Sequence, residues 1–276
     1  MRSPSHPTNR LVTVLAAAAV ILGGAVTGCT AAEPAHLSAD QPAPRTDANS
    51  KLAHEQLLAK ARHGGIDLYF LGDSITRRWG GTDYPQFLAH WKETFFGWNA
   101  ANFGWGGDTT QNILWRIQNG ELEGVHPKVI VLLAGTNNVG REPGDAAKAA
   151  DIARGVAAII DTCRSKAPGA TIILMAVFPR NDSDVAMPVI NAINADLAKL
   201  ADGKAVRFLN INDRLAAPDG TLREGLTVDK LHLSLEGYKI WAEALKPVLT
   251  ELLGPPAATD HAPPPTGDPS AAARAP

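Results

Sequence analysis

Cysteine is nearly missing from this chain: Cys29 and Cys163 are the two it has in 276 residues. Two cannot build a disulfide framework or a Cys-rich zinc site. A basic excess is missing as well. The 26 Lys+Arg stand against 28 Asp+Glu, for a formal net charge of −2, and no Lys/Arg block occurs. That argues against nucleic acid or anionic lipid headgroups as the main partner, since both need a basic face. There is no Walker A sequence, and Gly104, Gly106 and Gly107 lack the spacing of a dinucleotide-binding turn. Internal repeats are absent too. What is present, 45% hydrophobic and 20% charged residues, is enough for one sizeable core.

Composition shifts at both ends. Arg2 and Arg10 precede an apolar stretch from Leu11 to Val26, broken by Thr13 and two glycines. It is short for a membrane span and ends in small residues, so residues 1–28 read as a cleavable export signal. Its end, Val26-Thr27-Gly28-Cys29, resembles a bacterial lipobox. The resemblance implies a lipid on Cys29 and a place on the outer face of the cytoplasmic membrane, touched only through that anchor. An ordinary secretory signal would release the chain instead. With Cys29 lipidated, Cys163 is left as a lone buried thiol; a Cys29–Cys163 disulfide is the competing reading. Residues 29–50, rich in Ala, Pro, Asp and Ser, read as a flexible tether. Residues 254–276, with Pro263-Pro264-Pro265, have few large apolar side chains and read as a disordered tail.

Residues 51–253 alternate strand and helix patterns. Helices are expected at Lys51–His63 (with Ser50 as N-cap), Thr109–Gln118, Ala146–Ser165, Val185–Ala201 and Ser234–Leu253. Strands are expected at Ile66–Leu71, Trp98–Phe103, Val129–Leu133, Thr171–Val177 and Val206–Asn210. The unbroken Val129-Ile130-Val131-Leu132-Leu133 run is the pattern of a parallel strand buried on both faces. Repeated βα units predict an α/β domain with helices on both faces of a parallel sheet. Sites in such sheets lie at the C-terminal strand ends.

Those ends carry chemistry. Gly72-Asp73-Ser74 follows the first strand, Asn102-Phe103-Gly104-Trp105-Gly106-Gly107-Asp108 the second, and Gly135-Thr136-Asn137-Asn138 the third. Asp229-Lys230-Leu231-His232 precedes the last helix. A serine hydroxyl becomes a useful nucleophile when an imidazole takes its proton and a carboxylate orients the ring. Asp229 and His232, three residues apart, can supply that pair. Gly106 and Gly107 allow backbone N–H groups to approach a developing oxyanion, and Asn137 offers a side-chain amide.

These four blocks, in this order across residues 66–240, resemble the SGNH (GDSL-type) hydrolase superfamily. They are most similar to the catalytic-subunit group of platelet-activating-factor acetylhydrolase Ib, including the run Ile113–Glu123. The resemblance implies a three-layer flavodoxin-like fold with strand order 2-1-3-4-5. It also implies Ser74 as nucleophile, His232 as general base and Asp229 as its partner, with an oxyanion hole from the Ser74 and Gly107 N–H groups and Asn137. No cofactor or metal is implied. A short acyl pocket is expected, with Ile75, Trp79, Trp105 and Phe178 as candidate walls; ordinary core packing is the favoured reading for Phe178. The export signal and flexible ends depart from the eukaryotic subunits. They favour an ester on a small molecule, a polysaccharide or a lipid over platelet-activating factor itself.

Other residues carry less. His126 before Pro127 reads as a surface histidine, and His54-Glu55 fails as a zinc-protease motif because Leu58 stands where the second histidine should. Asp73 and Asp108 read as loop-bracing carboxylates, Arg77-Arg78 as a solvated pair, and the Asn181-Asp182-Ser183 sequon as weightless. Two functions remain: a metal-independent serine esterase, or an envelope protein that holds an acylated glycan without turnover. Every element of the esterase set is present, which favours the enzyme.

Overall fold

The computed structural model describes residues 37–272, so the predicted export signal and Cys29 lie outside the described residues. Five parallel strands form the centre: β1 Leu68–Gly72, β2 Ala100–Gly104, β3 Val129–Leu133, β4 Thr171–Met175 and β5 Val206–Leu209. Their order is β2-β1-β3-β4-β5, as the resemblance implied. All five residues of β1, β2 and β3 are buried, which is why these segments show no in/out alternation. Gly72 pairs with Gly104 on one side and Leu133 on the other. Three strand ends therefore stop level with one another and launch their loops from one line.

Helices cover both faces. On one, Ile113 and Ile117 near helix α4 (Thr110–Arg116), Ile152 and Ile159 of α6 (Ala146–Lys166) and Ile190 of α7 (Ala186–Ala198) close over Ile130 and Leu132. Leu57 and Ala61 of α1 (Ala48–His63) join them. The other face is aromatic. Trp79 of α2 (Ser74–Gly80), Trp91 and Phe95 of α3 (Pro85–Phe95) and Trp241 of α9 (Leu235–Leu253) pack around Phe70. Two short helices, α5 (Thr136–Val139) and α8 (Asn212–Leu215), sit after β3 and β5. Cys163 is a buried free thiol, and burial pushes it up to about 12.

The structure departs from expectation in several places. Helix α1 begins three residues early, capped by Asp47, whose carboxylate accepts the Ser50 N–H. Helix α4 ends at Arg116 and gives way to a π turn with Gly120 at φ 108°. Helix α3 was not anticipated, although Pro85 at its start and Phe87, Trp91 and Phe95 at four-residue steps are a helix signature.

The larger corrections concern the two ends. Of the described part of the expected tether, residues 48–50 open α1 and residues 37–47 are laid along α4 and α6. Ala43 N–H donates to Gln111 O, Asn112 Nδ2 to Ala43 O, and Thr110 Oγ1 to Ala39 O. Residues 254–268, expected to be disordered, run beside β2: Trp98 Nε1 donates to Gly254 O, Ala257 N–H to Gly97 O, and Lys60 Nζ to Thr266 Oγ1. In both cases hydrogen bonds to main-chain and loop groups hold a segment that its apolar content could not.

Candidate active site

Ser74 stands at the first residue of α2, directly after β1. Asp73 caps the helix, its Oδ1 accepting the Ile75 N–H at 2.9 Å. As the first helical residue, Ser74 has no intrahelical acceptor for its own N–H, and no other acceptor takes it among the described residues. His232 comes from the opposite side. Its Nε2 lies 2.8 Å from Ser74 Oγ and its Nδ1 2.7 Å from Asp229 Oδ2. The second oxygen, Asp229 Oδ1, accepts the His232 N–H at 2.8 Å and the Leu231 N–H at 3.2 Å. The carboxylate thus fixes both the ring and the backbone that carries it. Between them Lys230 sits at φ 69°, a left-handed conformation disfavoured for a side-chain-bearing residue.

The second and third loops complete the rim. A Cβ on Gly106 would come within 4.0 Å of Ser74 Cβ, so this loop passes directly beside the hydroxyl. Gly107 adopts φ 78°, and no acceptor takes its N–H among the described residues. Asn137 follows the left-handed Gly135; one amide hydrogen goes to Asp108 O at 2.8 Å, which leaves the other unspent. Three N–H groups on the loops after β1, β2 and β3 are thus left without an acceptor among the described residues.

Electrostatics separate the carboxylates. Burial works against Asp229, yet hydrogen bonds from the His232 amide and ring hold its carboxyl down at about 2. Burial and the Arg78 guanidinium push the His232 imidazole below its ordinary value, while Asp229 pulls it back up. A neutral ring hydrogen-bonded to an ionised carboxylate is the state in which imidazole can accept a proton. Beneath the rim, burial raises Asp73 to about 7 and Asp108 to about 6.

Three of the expected pocket walls are elsewhere. Ile75 is buried with its carbonyl accepting the Tyr238 hydroxyl, and Trp79 is wholly buried, its Nε1 donating to His90. Trp105 donates to Ser50 Oγ and lies under the Arg77 guanidinium. All three are core. So is Phe178, edge-on to Trp241, as favoured above. The Arg77-Arg78 reading also needs correction. Arg77 pairs with Asp83, and Arg78 Nη1 donates to Asp229 Oδ2 at 3.1 Å. Asp108 does more than brace its loop: it pairs with Arg116, which also donates to Phe103 O and pairs with Glu121. Asn181, dismissed as a sequon, accepts the Leu222 N–H and donates its backbone N–H to Lys230 O, bracing the histidine loop. His126 is exposed. Among the described residues, no group of three or more His, Cys, Asp or Glu side chains could hold a metal ion.

The fold and this site together match a known class. The model of the GDSL-like lipase/acylhydrolase family covers residues 70–240. Platelet-activating factor acetylhydrolase IB subunit alpha1 of Homo sapiens is 32% identical over 206 residues, 72% of this chain and 82% of the relative. Subunit alpha2 of Rattus norvegicus is 33% identical over 205 residues, covering 72% and 83%. The chain belongs to the GDSL-like lipase/acylhydrolase family, whose members are ester hydrolases. Among solved structures, a Streptococcus pneumoniae chain described as a platelet activating factor aligns at TM-score 0.58 and 25% identity, covering 72% of this chain and 94% of that one. An acylhydrolase from Bacteroides fragilis aligns at 0.57 and 18%, covering 75% and 99%, a likeness of fold.

Proposed function

We propose that this protein is a serine esterase that cleaves short-acyl esters, acetyl esters foremost, through an acyl-serine intermediate. The observation that carries the reading is the continuous line Asp229–His232–Ser74, at 2.7 and 2.8 Å. His232 Nε2 takes the Ser74 proton as Oγ bonds to the ester carbonyl carbon. The Ser74 and Gly107 N–H groups and the Asn137 amide hold the oxyanion. Collapse of the tetrahedral centre breaks the bond to the alcohol oxygen, which leaves with the proton from His232. Water, deprotonated by the same ring, then releases the acid and restores Ser74. The set supplies nucleophile, base and electrophilic stabilisation without a metal, so activity should survive EDTA.

Two observations favour a short acyl group. The apolar side chains nearest Ser74 in sequence, Ile75 and Trp79, are committed to the core, so they form no long slot beside the hydroxyl. The curated relatives are named acetylhydrolases. The test is hydrolysis of p-nitrophenyl esters from acetate to palmitate by the protein and its Ser74→Ala variant. Ser74-dependent turnover that peaks at acetate or butyrate is expected. A peak at long chains would make the enzyme a lipase, and no turnover by the folded protein would leave a glycan-binding role. For location we propose an exported lipoprotein anchored through Cys29; the Cys29→Ser variant should then fail to incorporate labelled palmitate in a bacterial host.

A further inference from the structure

Arg45 lies in the segment read from sequence as a tether, 29 residues before the nucleophile, yet its guanidinium reaches the rim of the site. Nη1 donates to Gly106 O at 3.0 Å and lies 3.5 Å from Asp108 Oδ1, while Nη2 pairs with Asp47 at 3.3 Å. A Cβ on Gly107 would meet Nη1 at 3.1 Å, so the cation packs against the Gly106–Gly107 peptide. The carbonyl it binds and the Gly107 N–H belong to that same peptide unit. In a trans peptide the two groups point in opposite directions, and the described chain has no cis peptide. A cation on the carbonyl therefore leaves the N–H directed away from Arg45, from the opposite edge of the same peptide unit. It also draws electron density toward the oxygen, which makes the N–H a stronger donor.

We propose that Arg45 is a positioning residue for the oxyanion hole: it fixes the plane of the Gly106–Gly107 peptide and strengthens its N–H as a donor to the tetrahedral intermediate. The inference rests on the esterase reading above. It gives the ordered arm a purpose. Residues 37–43 are tied to Asp151, Thr110, Gln111 and Asn112, and that anchorage delivers Arg45 to a loop that contains two adjacent glycines and would otherwise be pliant.

The test compares the full chain with Arg45→Gln and Arg45→Lys on p-nitrophenyl acetate, with Ser74→Ala as control. Losing one oxyanion donor outright costs on the order of 10²–10³ in kcat; weakening and loosening one should cost about 10-fold. The account expects that drop in kcat for Arg45→Gln with KM within about twofold, and partial recovery in Arg45→Lys. The rate of Ser74 modification by a p-nitrophenyl phosphonate, whose displacement also places negative charge in the hole, should fall in parallel. A thermal midpoint close to the parent's would separate this from loss of folding. Arg45→Gln that matches the parent in kcat and phosphonylation overturns the inference while leaving the esterase intact. So does an equal loss in Arg45→Lys and Arg45→Gln that tracks a lowered midpoint, because the arm is then merely structural. Failure of the parent itself to show Ser74-dependent turnover would overturn the reading on which the inference stands.

Discussion

The rim and the floor of this site treat carboxylates in opposite ways. On the rim, Asp229 is 41% exposed at its side chain and is held at about 2 despite partial burial, by hydrogen bonds from His232. On the floor, Asp73 and Asp108 are fully buried, and that burial drives them to about 7 and about 6. The first must stay charged to orient and support an imidazole that gains a proton. The others hold loops in place, and their charge is a cost that the fold offsets unevenly. Arg116 and Arg45 face Asp108, whereas Asp73 Oδ2 has no hydrogen-bond partner among the described residues. Being near Ser74 therefore does not give a carboxylate the part proposed for Asp229; its solvation and partners decide.

Breaking the comparison at Asp229 should have the largest effect. Asp229→Asn keeps the shape but favours the wrong imidazole tautomer, and kcat should fall on the order of 10³–10⁴ with a urea midpoint lowered less than by Asp108→Asn. A loss under tenfold would show that Asp229 does not orient the base. Asp108→Asn should reverse that profile. Arg116 would keep Glu121 but lose its other buried anion, and removing one member of such a cluster costs about 3–5 kcal/mol, read as a lower urea midpoint at unchanged slope.

A smaller effect belongs to Arg78, the cation at the edge of the rim. The charged groups facing His232 are Arg78, Arg180 and Asp229. Arg78→Gln removes a cation that holds the imidazole down, so the acid limb of kcat/KM should move to higher pH. Because Asp229 also loses a hydrogen bond, kcat should fall by about 3–10-fold, in line with about 1 kcal/mol for one such bond. An acid limb that stays in place would remove Arg78 from the electrostatics of the base.

Asp73 should give the smallest change in activity and the clearest signature in stability across pH. Its folded value lies above the ordinary carboxylate value of 3.8, so the native state holds more protons than the unfolded chain between them. Stability is then fully present below about 4 and declines as pH rises toward about 7. Asp229 has the opposite sign: its contribution is present above the ordinary value and is lost as pH falls toward about 2. Asp73→Asn should flatten the decline between pH 4 and 7, so the variant gains on the parent as pH rises through that window. An unchanged pH slope would place the titration elsewhere.

Much of the rim was legible in the sequence. β1, β3 and β4 are largely apolar runs alternating with helix patterns, so the parallel sheet followed from the repeated βα units. Ser74, Gly107 and Asn137 sit in short loops at strand ends, and Asp229 and His232 in the segment before α9, places where residue type alone is informative. What escaped was set by distance. Arg45 and Arg78 look like ordinary solvated cations until the fold brings them 61 and 151 residues along the chain, to Gly106 and Asp229. Asn181 reads as a sequon until it meets Leu222 and Lys230. Trp79 and Trp105 could wall a pocket or fill a core, and only packing separates the two. Residues 37–47 and 254–268 were misread for a related reason. Their composition predicts little burial, but their order comes from polar contacts to other segments, which composition does not record.

The central claim is that Ser74 forms a covalent acyl intermediate, and mass spectrometry tests it most directly. The protein should be mixed with p-nitrophenyl acetate, quenched in acid and digested. A 42 Da adduct, the mass that acetylation adds, should appear on the peptide containing Ser74, and it should persist longer where Asp229→Asn slows deacylation. An adduct confined to other residues, or steady turnover by Ser74→Ala, would contradict the account.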